Sequence, residues 1–342
     1  MPFPPFNTPQ RRLAALFALP VIFAVAYQQY STSSMSSTLA AIRRSNAELV
    51  GGLKGAPVAV VVGGTSGIGQ GMAEAFARWR SGRAHIVIVG RSEAAAKEII
   101  ATFPKPTTGE GESWSHEFVK CDATLMKNVK SASEEILARH PKINYLIMSP
   151  GFFTTSGRDE TPEGIDKKLA VHYYGRWKFI DQLLPALRKA KEEEEARVLS
   201  VLSAGYSGKI DVNDLGLKKG YSLKAAADAA PTYNDLMIES FHERNPGITF
   251  AHSFPGGVLT NIMSSSRTAW MRAVAPIANA LARPFVVTRH DCAEYMWHGL
   301  LTNTDSAIRF DNHGQNLEGK RYYGSEEAKT KLWDHTVDAT NV

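Results

Sequence analysis

The residues most able to do chemistry begin with Gly63, Gly64, Gly67 and Gly69, in the stretch Gly-Gly-Thr-Ser-Gly-Ile-Gly. A buried-type apolar run, 58–62, enters this knot and a helical pattern leaves it. A glycine without a side chain makes the tight turn, a second lets the backbone approach a pyrophosphate, and a third lets the helix pack closely on its strand. The helix N-terminus then turns free N–H groups and a partial positive charge toward the phosphates. This arrangement points to dinucleotide binding. The next apolar run, His-Ile-Val-Ile-Val-Gly, ends at Gly90 and Arg91. A carboxylate there selects an unphosphorylated ribose, whereas a guanidinium suits a 2′-phosphate. Arg91 therefore favours NADP(H) over NAD(H). The two cysteines, Cys121 and Cys292, have neither metal-ligand spacing nor the density of a disulfide framework.

Short apolar, β-branched runs alternating with helical patterns are required to hold such a site. Strands are expected at 58–62, 85–90, 116–122, 143–149, 197–203 and 248–256, with a last edge strand at 319–324. Helices are expected after Gly67, over 92–103, after Thr124, over 164–190 and within 221–244. Runs that do not alternate polar with apolar imply strands buried on both faces. The fold class is thus α/β, a Rossmann-type doubly wound parallel sheet with helices on both faces, in a single domain over 57–325. Residues 35–56 read as a linker or a short leading helix and 326–342 as a C-terminal tail. Pro231 is expected in the first turn of a helix starting near Ala230, because an interior proline is costly.

The net charge is +5 at pH 7, with basic residues interspersed among acidic ones. That pattern gives no basic stripe and excludes a nucleic-acid partner. Residues 1–34 contain the apolar run 13–27 after Arg11 and Arg12, shorter than the roughly 20 residues of a comfortable span and interrupted by Pro20. The segment reads as an anchor, a signal or a dispensable extension, with Met35 as an alternative start. The low cysteine count and the lack of an Asn-x-Ser/Thr sequon favour a reducing compartment. The expected location is cytoplasmic, or membrane-associated through 13–27 with a cytosolic domain.

From about Pro57 to Tyr323 the chain resembles the short-chain dehydrogenase/reductase family. The resemblance is carried by Gly-Gly-Thr-Ser-Gly-Ile-Gly, by Cys-Asp-Ala-Thr at 121–124, by Ser-Val-Leu-Ser-Ala-Gly at 200–205 and by Phe-Pro-Gly-Gly-Val-Leu-Thr at 254–260. It implies cofactor contacts at Gly63, Thr65, Ser66, Gly67, Ile68, Gly69, Asp122 (adenine), Gly151, Pro255, Gly256 and Thr260 (nicotinamide amide). It also implies that Ser203 holds the substrate oxygen, that a tyrosine supplies a proton and that a lysine tunes it and binds ribose. The Tyr/Lys pair that best matches is Tyr221 and Lys224, one residue closer than the family's Tyr-x-x-x-Lys, with Tyr233 and Tyr206, which lack a lysine partner at the family's spacing, as the other candidate acids. The family's helix asparagine falls at His172, and its Asn-Asn-Ala-Gly is Met-Ser-Pro-Gly, 148–151.

Two functions follow from the resemblance and its departures. The first is an NADPH-dependent oxidoreductase interconverting a ketone or aldehyde and an alcohol on a small lipophilic metabolite, with a homodimer as the assembly. The second is an NADP(H)-binding sensor or scaffold whose altered site does no chemistry. No metal is expected in either.

Overall fold

The computed structural model describes residues 35–106, 113–259, 276 and 286–342. Among them, seven strands form one parallel sheet: β1 (Val58–Val62), β2 (His85–Gly90), β3 (His116–Lys120), β4 (Tyr145–Met148), β5 (Arg197–Val201), β6 (Thr249–Ser253) and β7 (Ala307–Phe310). Their order is β3-β2-β1-β4-β5-β6-β7. The chain winds outward from β1 in one direction and from β4 in the other. The two strands pair Val62 with Met148, so the topological switch lies at their carboxyl ends, where open α/β sheets take their ligands.

Every residue of β1 is buried, and its alternate side chains feed opposite layers. Val58, Val60 and Val62 join one core with α4 (Met126–Arg139), α5 (Gly175–Glu193), α6 (Leu223–Arg244) and α8 (Glu326–Thr340). Ala59 and Val61 join the other, with α1 (Met35–Gly51), α2 (Gly67–Trp79), α3 (Glu93–Ala101) and α7 (Arg289–Leu301). This two-sided burial is what the non-alternating strands predict.

One open reading is decided and three expectations are corrected. Residues 35–51, read as a linker or a short leading helix, form the helix α1, which buries Ile42 and Val50 and fixes Asn46 against Glu294 by a 3.0 Å bond from Nδ2 to Oε2. The tail contains α8, whose Ala328 and Leu332 enter the core. The last strand is Ala307–Phe310 rather than 319–324. The latter segment is a turn, and the Lys320 carbonyl within it and the Glu318 carbonyl just before it accept from Arg309 of β7. Finally, α6 starts at the Ser222 cap and runs through Pro231, which is buried. Near Pro231, the Thr232 hydroxyl donates to Asp228 O and Gly208 O, which binds this stretch of helix to the loop after β5. No described helix is long and apolar enough to cross a membrane; residues 1–34 lie outside the described residues.

Candidate functional site

The glycine turn closes the junction of β1, β4 and α2. Gly63 has φ +79° and donates its N–H to Val89 O at 2.8 Å. A Cβ there would stand 2.7 Å from Pro150 N. At Gly69 a Cβ would meet Gly63 O at 2.5 Å and Ser149 Oγ at 2.6 Å. Ser66 is the N-cap of α2, but its hydroxyl makes no capping bond, and no acidic residue occupies the first turn. Among the described residues the first amides of α2 therefore lack a side-chain acceptor, and they border a cleft lined by Gly63, Thr65, Ser66, Gly67 and Ile68. This cradle fits the pyrophosphate of a dinucleotide.

The cleft continues past Gly90 and Arg91 at the end of β2 to Asp122 beyond β3. Arg91 is exposed and makes no ion pair among the described residues. Asp122 Oδ1 accepts from Thr124 N at 3.0 Å and Thr124 Oγ1 at 2.8 Å, which fixes the carboxylate at the cleft edge. On the β4 side the wall is Ser149, Pro150, Gly151 and Phe152.

His172 lies in a π-helical turn, Ala170–Tyr174, between the helical turn Lys167–Leu169 and α5. Such an insertion changes which side chains face a neighbouring wall and recurs at functional sites. Here it brings His172 Nε2 within 3.4 Å of the Cβ position at Gly151, with the ring 6.0 Å from that of Phe152. Burial, aided by Arg176 and Lys168, lowers the His172 pKa to about 3, so the imidazole is neutral at ordinary pH. The His172 carbonyl accepts from Asn234 Nδ2 at 2.8 Å.

Ser203 follows β5, and its N–H donates to His252 Nε2 at 3.2 Å. His252 is oriented in turn by Asp235 Oδ1, 2.6 Å from its Nδ1. Asp235 Oδ2 accepts from Ser207 Oγ at 2.6 Å and from Arg309 Nη1 at 3.2 Å. This buried network clamps both ends of the 203–207 loop.

The structure does not bring Tyr221 and Lys224 together as a coupled pair. Tyr221 precedes the Ser222 cap and packs its ring 5.2 Å from Lys168 Nζ. Among the described residues its phenolic oxygen is buried without a hydrogen bond, and burial, with Asp166 next, pushes its pKa up to about 12. Lys224 points to solvent and pairs with Asp228 at 2.5 Å. A tyrosine ahead of the cap and a lysine in the first turn do not share a helix face, so the i, i+3 argument fails here. Ser203, Tyr221 and Lys224 all lie outside the described lining of the cleft. Pro255 and Gly256 follow β6, and Gly256 has φ +72°. Thr260 lies outside the described residues.

Sequence reasoning missed Arg176. It is 1% exposed. Its guanidinium donates to Pro150 O (2.7 Å), Ser200 Oγ (2.7 Å), Val201 O (2.9 Å), Met148 O (3.2 Å) and Val171 O (3.3 Å). It ties the ends of β4 and β5 together behind the cleft wall, beside the segment where Met-Ser-Pro-Gly replaces the family's asparagines. Burial lowers its pKa to about 9, which leaves it charged at neutral pH. The available signal was a cation at a position that the helical period of α5 directs inward.

A family model described as short chain dehydrogenase matches residues 57–269. The chain belongs to the short-chain dehydrogenase family. It is 36% identical to Oxidoreductase AN1596 of Emericella nidulans over 251 residues, covering 73% of this chain and 71% of that one. It is 32% identical to Oxidoreductase andH of Emericella variicolor over 258 residues, covering 75% and 73%. Among solved structures, an alcohol dehydrogenase from the archaeon Thermococcus sibiricus complexed with 5-hydroxy-NADP superposes with a TM-score of 0.53. That likeness, at 16% identity over 79% of this chain and 99% of the other, concerns the fold. The short-chain dehydrogenase assignment makes the chain an oxidoreductase of a family that uses a nicotinamide cofactor.

Proposed function

We propose that this short-chain dehydrogenase uses NADP(H) to interconvert a ketone or aldehyde and an alcohol on a small lipophilic metabolite. The observation that carries the reading is the cleft itself, which joins the uncapped first turn of α2 to the exposed guanidinium of Arg91. In this reading Gly63, Thr65, Ser66, Gly67, Ile68 and Gly69 hold the pyrophosphate. Arg91 meets the 2′-phosphate, Asp122 the adenine, and Gly151, Pro255, Gly256 and Thr260 the nicotinamide half. The bound cofactor supplies or accepts a hydride, while the protein supplies placement and electrostatics. Ser203 orients the substrate oxygen beside His172, and Phe152 on the cleft wall supports an apolar substrate.

Proton delivery by Tyr221 with Lys224 requires the loop before α6 to move, since the phenol is buried and the ammonium is held by Asp228. That separation favours a second reading, in which the chain binds NADP(H) without turning over a carbonyl. The deciding experiment measures NADPH consumption against a panel of lipophilic ketones, with NADPH and NADH binding titrated in the same samples. Turnover that collapses in Tyr221→Phe supports the first reading with Tyr221 as the acid. Turnover that survives keeps the oxidoreductase and removes Tyr221 from it. Binding with no turnover supports the second reading, and binding of NADH as tightly as NADPH refutes the role of Arg91. The reading keeps a cytosolic domain, a candidate anchor at 13–27 and a homodimer, which fractionation and sedimentation test.

A further inference from the structure

The wall behind the cleft holds an uncompensated cation. All five acceptors of Arg176 are neutral: four backbone carbonyls and the Ser200 hydroxyl. No carboxylate pairs with it among the described residues. Nearby charges do not offset it. Asp235 is matched by Arg309 at 3.2 Å, Asp166 faces Lys168 at 3.8 Å, and His172 and His252, whose rings are either neutral or positive, offset no cation. A fully buried charge without a counter-ion is costly and is retained only where its hydrogen bonds are well made. Its field is also poorly screened, because the surrounding medium is protein.

Position gives this charge a target. A dinucleotide laid across the β1/β4 switch places one half over β2 and β3 and the other over β4 and β5. Arg91 and Asp122 mark the adenosine half. Arg176 bonds Met148 O, Pro150 O and Val201 O, which places it behind the other half. The nicotinamide ring is positively charged when oxidised and neutral when reduced. A fixed cation behind that ring opposes the oxidised form and is indifferent to the reduced one.

We infer that Arg176 makes the cleft selective for the reduced cofactor, so that NADPH is bound in preference to NADP+. The inference rests on the NADP(H) reading above and deepens it: the chain is set to accept NADPH and to release NADP+. Reciprocity requires that selective binding of the reduced form shift the midpoint potential of the bound pair upward. A tenfold preference corresponds to about 30 mV for a two-electron couple.

The test uses the full chain at pH 7. NADPH affinity is read by fluorescence titration, and NADP+ affinity by competition against it. The nicotinamide-free fragment 2′-phospho-ADP-ribose is titrated in parallel. NADP+ is expected to bind at least about tenfold more weakly than NADPH. Arg176→Gln should bring the two affinities within about threefold of each other, Arg176→Lys should keep most of the gap, and the fragment should bind both variants as it binds the parent. Equal affinities in the parent chain overturn the inference while leaving the NADP(H) reading intact. A gap that persists in folded Arg176→Gln, or a fragment affinity that falls with it, also overturns the inference, since the arginine would then act through structure alone. If Arg176→Gln does not fold, Arg176→Lys decides: a gap kept with the charge supports the inference, and a gap lost while the charge remains overturns it. Binding of none of the three ligands removes the cofactor reading and the inference with it.

Discussion

Gly63→Ala tests the junction on which the cleft depends, and its cost divides into two parts. The first is conformational: at φ +79° an L-residue occupies the left-handed region, at a cost of roughly 1–2 kcal/mol. The second is steric. The new Cβ would lie 2.7 Å from Pro150 N, 2.9 Å from Pro150 Cα and 2.9 Å from Ser149 C, all backbone atoms that cannot swing aside. Forcing a methyl into such a contact typically costs about 1–3 kcal/mol. The expected loss is therefore about 2–5 kcal/mol. Gly55→Ala separates the parts, because Gly55 has φ +61° and open space around its Cβ position, so that only the first cost applies. Urea denaturation of both variants gives the two losses, and an NADPH titration of Gly63→Ala reports the cleft. Relief of the overlap pushes Ser149 and Pro150 outward, and affinity should fall at least tenfold. A Gly63→Ala variant no less stable than Gly55→Ala, with cofactor affinity unchanged, would refute the reasoning.

Two further outcomes follow from the site. Because the folded pKa of His172 lies at about 3, below its unfolded value near 6.5, the unfolded chain binds the extra proton between those limits. Stability from this group is complete above pH 6.5 and declines as the pH falls below it, by at most about 1.4 kcal/mol per pH unit. His172→Gln should flatten the fall in urea midpoint between pH 7 and pH 5, and an unchanged slope would contradict the assignment. Tyr221→Phe removes a buried hydroxyl that has no partner among the described residues, so the variant should match or exceed the parent in stability by up to about 1 kcal/mol, read as a shift in urea midpoint; a clear loss would show that the hydroxyl is bonded.

The sheet was legible because strands such as 58–62 and 85–90 are buried on both faces and leave an unbroken β-branched signature. The last strand was not. Ala307–Phe310 is four residues long and contains Arg309, whose charge is neutralised by Asp235, remote in sequence. The more strand-like 319–324 owes its aromatic and basic residues to a turn around that arginine, whose guanidinium lies 5.1 Å from the centre of the Tyr322 ring. Pro231 misled for a related reason: local propensity penalises it inside a helix, and tertiary contacts from Thr232 and the neighbouring loop override that penalty. The cofactor side of the site was readable because the glycine motif is local and tied to backbone geometry. The chemical side was not, because it depends on how the loop before α6 places Tyr221 and on which element supplies a cation. Lys168 and Arg176 reach their places from the segment after β4, and no spacing rule within the Tyr221 region reports them.

Helix α1 carries a consequence for where this protein can be cut. The family match begins at residue 57, yet Arg80, at the end of α2, donates to the carbonyls of Val50, Gly51, Leu53 and Gly55. Arg43 pairs with Asp291, and Asn46 reaches both the backbone and the side chain of Glu294. A chain trimmed to the family boundary would keep every residue of the glycine motif. It would also strip the acceptors from Arg80, uncover the flanks of α2 and α7 that Ile42 and Val50 protect, and leave a sticky face on the helix that presents the phosphate cradle. The segment ahead of the matched region thus braces the helices on that face, and a chain cut at residue 57 is expected to be less stable than one that keeps α1.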